Sequence, residues 1–84
     1  MNTNTSFHYN ITRYENGEIK DAYAHCEEYP TRERAIEAAQ HAADYWKYHY
    51  GRKYASVMNT EKGAMLYVEL PDGRRLLNYY EVLN

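Results

Sequence analysis

The chain has 84 residues, 44% of them hydrophobic, and a formal net charge of −2. That length holds one domain with a thin core, spanning 1–84, and that apolar content is not the profile of a disordered chain. The charge excludes a generic basic nucleic-acid binder, and it is too small for a mimic of a phosphate backbone.

Residues 1–5 are polar and are expected to fray. Over 6–14 the residues alternate, with Phe7, Tyr9 and Ile11 on one face and His8, Asn10 and Thr12 on the other, which predicts a half-buried strand. Asn16-Gly17 follows, a strong two-residue hairpin signal because a type I′ turn needs positive φ at both central positions. That turn predicts a second strand running to about Tyr29. Its register sets Glu15 opposite Glu18, Ile11 opposite Ala22, Tyr9 opposite Ala24 and Phe7 opposite Cys26. These large-small pairs would leave room for a helix on that face. The other face would pair Tyr14 with Ile19, Thr12 with Asp21, Asn10 with Tyr23 and His8 with His25.

Pro30 ends the strand and Thr31 is placed to cap a helix over 32–50. Its predicted inner stripe is Ile36, Ala39, Ala43, Trp46 and Tyr50, flanked by Ala35 and Ala42. Glu33, Glu37, Gln40, Asp44 and Lys47 mark the opposite side, and Gly51 is placed to end the helix in a left-handed conformation. Strands are predicted over 52–60, 64–70 and 74–83, with turns at Glu61-Lys62-Gly63 and Pro71-Asp72-Gly73. A bulged second turn places Glu69 opposite Arg75, Val68 opposite Leu76 and Tyr67 opposite Leu77. The predicted fold is α+β in two layers: a twisted antiparallel β-β-α-β-β-β sheet with one helix on one face.

The chain carries eleven tyrosines against one Phe and one Trp. A small core cannot satisfy that many buried hydroxyls, so several rings are expected at the surface, where Tyr is a favoured contact residue. If Phe7, Tyr9, Ile11, Leu66, Val68 and Leu76 face the helix, the other face displays Tyr14, Tyr23, Met65, Tyr67, Leu77 and Tyr79. An open sheet face is ordinarily polar, so this patch points to an interface. The competing readings are a second small core formed by coiling of the sheet, or an inverted face for the last two strands. The expected contact residues are Tyr14, Tyr23, Tyr67 and Tyr79, with Arg74, Arg75, Glu27 and Glu28 as rim charges. A homodimer would satisfy the patch as well as a foreign protein would.

Tyr beside Arg also suits nucleic acid or a nucleotide, through ring stacking and phosphate contacts from Arg74 and Arg75. No RNA-recognition signature supports this, and the acidic charge counts against it. His8 and His25, expected to oppose each other near Glu27, suggest two or three metal ligands, but a strand pair of this kind is more often plain surface. No nucleophile elbow or phosphate loop is present. A non-catalytic protein without cofactor is the expectation. The lone Cys26 forms no internal disulfide, matches no zinc spacing and is expected as inert core packing. A reducing, cytoplasmic setting fits it, and no apolar run predicts a signal peptide or membrane span.

In outline, with the Asn16-Gly17 hairpin, the helix over 31–50 and the Pro71-Asp72-Gly73 hairpin, the chain resembles small phage-encoded inhibitors of bacterial defence, anti-CRISPR proteins among them. The resemblance implies steric inhibition, in which a small rigid domain covers a site on a large nucleoprotein complex in the host cytosol. A third reading is a small homo-oligomeric accessory subunit.

Overall fold

A computed structural model describes residues 6–83; the expected fraying of 1–5 lies outside them. The elements are β1 (Tyr9–Glu15), β2 (Glu18–Ala24), α1 (Arg32–Tyr50), β3 (Ala55–Thr60), β4 (Gly63–Glu69) and β5 (Arg75–Val82). They form the expected two layers: a five-stranded antiparallel sheet in the order β2-β1-β5-β4-β3, with α1 on one face. The last strand in sequence is thus the central strand in space, and β2 and β3 are the edges.

Local chemistry accounts for most boundaries. Asn16 and Gly17 take φ of 53° and 85°, as a type I′ turn requires. The same Asn16 ties the hairpin to β5, because its side-chain oxygen accepts from the Arg75 N–H at 2.9 Å and its own N–H donates to the Arg75 carbonyl at 2.8 Å. At the N-terminus of α1 the Thr31 hydroxyl accepts from the Arg34 N–H at 3.1 Å, satisfying one of the orphan donors of a helix start. The C-terminus ends on Gly51, whose N–H donates to the Lys47 carbonyl at 2.8 Å. Its φ of 96° is positive as expected, but its ψ of 145° is extended rather than left-handed helical.

The core lies between α1 and β3–β5. Ala35, Ala39 and Ala43, spaced by one helical turn, are fully buried and carry the helix close to the sheet. Below them lie Ala64, Leu66, Val68, Tyr80 and Val82. Gly63 shows how close the layers are: a Cβ there would sit 2.0 Å from the Tyr80 carbonyl oxygen and 3.1 Å from the Ala39 Cβ. The buried stripe is rotated from the predicted one, since Trp46 sits at the helix edge and is 38% exposed. Gln40, expected to point to solvent, is partly buried and donates to the Gly63 carbonyl.

The β1–β2 register departs from the expected one. The turn-proximal pairs Glu15–Glu18 and Tyr14–Ile19 form as predicted, but an irregularity at Arg13/Tyr14 then shifts the partners by one. Ile11 therefore faces Tyr23 rather than Ala22, and Arg13 rather than Thr12 faces Asp21. A one-residue slip exchanges the faces of every side chain beyond it. Ala22 and Ala24 go to the face away from the helix. β2 ends at Ala24, and Phe7 pairs with Tyr29 instead of Cys26. Cys26 is exposed, not packed in the core.

Candidate functional site

α1 packs on β4, β5 and β3 and barely reaches β1. Among the described residues no helix lies over the opposite face of the sheet. Residues paired directly across an antiparallel ladder share a face, so the pairings define what this open face displays. One row runs Ile19, Tyr14, Leu77, Tyr67, Ser56, and the next runs Ala22, Thr12, Tyr79, Met65, Met58. Below them lie Asn10 and Glu81, and above them Glu69 and Arg75.

The upper rows frame a concavity of about 740 Å³, lined by Tyr14, Tyr67, Leu77, Tyr79 and Arg75 together with the Asn16-Gly17 turn and Gly73. Tyr14 and Tyr79 meet edge-on with ring centroids 6.0 Å apart, a favourable aromatic geometry that fixes both rings. Tyr67 is 39% exposed, and Met58 and Ile19 project further, at 60% and 59%. At the rim Arg75 faces Glu69 at 3.9 Å with both side chains largely exposed, so the guanidinium is held weakly.

The expected contact residues therefore divide. Tyr14, Tyr67, Tyr79 and Arg75 come together around one concavity. Tyr23 does not join them: the register shift turns it to the helix side of β2, where it is 49% exposed. There it lines a narrow cleft with Ile11, Arg13, Trp46, Tyr50 and Tyr80. Arg74 lines a helix-side cavity with Arg13, Lys20 and Tyr50. Its Nε donates to Asp72 at 2.9 Å, and the hydrogen bonds from Arg74 hold the Asp72 carboxyl below its usual range. Arg74 and Arg75 thus address opposite faces and form no joint clamp for a phosphate. Glu27 and Glu28 follow the far end of β2, where Glu28 accepts from the Ser6 hydroxyl and Glu27 lies 3.8 Å from His25.

His25 does not oppose His8. Its ring stacks on Tyr9, with centroids 4.4 Å apart and planes 13° from parallel. Among the described residues no group of three or more His, Cys, Asp and Glu side chains gathers as metal ligands, and no helix is long and apolar enough to cross a membrane.

One surface escaped the pattern of the sequence. Tyr45 and Tyr48 stand out from the C-terminal half of α1, 65% and 73% exposed. Edge-on contacts run from Tyr45 to Trp46 and from Trp46 to His49, at 5.3 and 5.1 Å. Tyr45 and Tyr48 fall outside the three-four stripe, which was the available signal for their exposure.

Comparison of the chain with protein-family models, curated proteins and solved structures finds no match.

Proposed function

We propose that this chain is a non-catalytic protein-binding module that works through the open face of its sheet. The supporting observation is that a face with no helix over it among the described residues carries Tyr14, Tyr67, Leu77 and Tyr79 around a concavity that Arg75 also lines, with Met65 and Glu69 next to them on the same face. Aromatic anchors in a concave apolar centre with charges at the edge are the anatomy of a protein contact surface. Sheets that expose one face to water carry mainly polar side chains there, whereas the two central rows of this face are apolar or aromatic apart from Thr12 and Ser56.

The action proposed is steric cover. Five hydrogen-bonded strands give a rigid platform, and little ordering of the face is needed before it binds. Together with the outline resemblance, this favours an inhibitor that occupies a working surface of a larger host assembly, with a nucleoprotein defence complex as the proposed target class. Capture from host lysate tests the reading. The expected result is a stoichiometric protein partner that survives nuclease and is lost with Tyr67→Ala. Recovery of nucleic acid alone, or a partner lost on nuclease treatment, contradicts it.

A further inference from the structure

We infer that the open face is also self-complementary, and that in the absence of a partner two copies of this chain close it face to face. This inference rests on the reading of the open face as a contact surface. It adds what first covers that surface.

The observation is the order of side chains on β5, the central strand. On the open face they read Arg75, Leu77, Tyr79, Glu81: basic, apolar, aromatic, acidic. A second β5 laid over the first in the antiparallel sense reads the reverse. Arg75 of each copy then meets the partner's Glu81, and Leu77 meets the partner's Tyr79. The opposite, parallel arrangement sets Arg75 on the partner's Arg75 and is disfavoured by like charge. Of the two arrangements with aligned strands, the antiparallel one sets Arg75 on an opposite charge of the other copy, in addition to the Glu69 that it faces within its own chain.

The neighbouring strands fit the same operation. The two-fold axis lies in the plane between the sheets, level with Asn78, and it exchanges the two central rows of the face. On β4, Tyr67 meets the partner's Met65, a ring against a thioether. On β1, Tyr14 meets the partner's Thr12. On both strands a larger side chain faces a smaller or more flexible one, as interdigitating sheet faces require. The contact is isologous and closed, so it stops at two copies.

The contact is small. Five strands of about seven residues give a face of roughly 500 Å² from the strand spacing and rise. That is below the ~800 Å² per partner of a standard stable interface. A small, reversible dimer is therefore expected. It would keep the aromatic face from water and yield it to a partner that binds more tightly.

Sedimentation equilibrium across a concentration series tests this. The expected result is a reversible rise from the 10.0 kDa chain mass to twice that value. Arg75→Glu and Glu81→Arg should each weaken the dimer at least tenfold, and the double exchange should restore it within about threefold, because the ion pairs re-form with reversed sense. Tyr79→Lys should leave a monomer, with the far-ultraviolet circular dichroism spectrum showing that it remains folded. A chain that stays monomeric at every concentration, or a dimer indifferent to all four variants, overturns the inference. So does a double exchange that fails to recover. A monomer whose partner is still lost with Tyr67→Ala refutes the dimer and leaves the contact surface standing. A monomer whose partner binds Tyr67→Ala unchanged refutes both.

Discussion

Tyr9 and Tyr67 put the same side chain to opposite uses. Tyr9 is 5% exposed, and burial, followed by the neighbouring Tyr29 and Tyr80, pushes its hydroxyl up to about 12. Burial also raises Tyr80, with the Asn78 hydrogen bond acting in the opposite direction. A folded-state value above the ordinary 10.0 means that folding favours the protonated, neutral hydroxyl. This contribution is fully present below the unfolded value and is lost as pH rises from 10.0 towards about 12. The urea midpoint is therefore expected to fall across that window, and to fall less steeply in Tyr9→Phe. Tyr67 stands partly exposed on the open face, and Tyr67→Ala should cost less than about 1 kcal/mol in urea unfolding. Gly63 has the opposite sensitivity. A Cβ there meets the backbone of Tyr80 at 2.0 Å, so Gly63→Ala should destabilise by about 1–3 kcal/mol in the same measurement, the range of an overpacked core.

Among the elements, α1 and the turns at Asn16-Gly17 and Pro71-Asp72-Gly73, two of the three hairpin turns, were legible in the sequence because each is written in local chemistry. Thr31 and Gly51 bracket the helix, Asn16-Gly17 supplies two positive φ values, and Pro71-Asp72-Gly73 sets the β4–β5 register, Tyr67 against Leu77 included. The β1–β2 hairpin was legible only as far as Tyr14–Ile19. The irregularity beyond it inserts one residue near Lys20 with no Gly or Pro to mark it, and it takes Tyr23 off the open face and Cys26 out of the core. The exact core stripe of α1 was also illegible, because alanine fits either a buried or an exposed helix position. Its depth is set by the approach to Gly63, a contact distant in sequence. Two changes test the helix. Thr31→Ala should cost about 1 kcal/mol through the lost cap, and Ala39→Leu about 1–3 kcal/mol through overpacking against the sheet, both read from thermal and urea unfolding.

At the scale of the whole molecule, one helix and five strands leave an imbalance. α1 covers β3, β4 and β5 on one side, and among the described residues no element covers the other side. Among the described residues, two exposed aromatic surfaces lie on opposite sides of the molecule, the open sheet face with Tyr67 and Tyr79 and the ridge of Tyr45 and Tyr48 on α1. They point in opposite directions, which makes them separable. The most direct test is quantitative capture from nuclease-treated host lysate with two double variants, Tyr67→Ala/Tyr79→Ala and Tyr45→Ala/Tyr48→Ala, each first shown to be folded. If the open face is the contact surface, the first variant loses the partner at least tenfold and the second retains it. A partner retained by the sheet-face variant and lost from the helix variant would contradict the assignment and move the contact surface to α1.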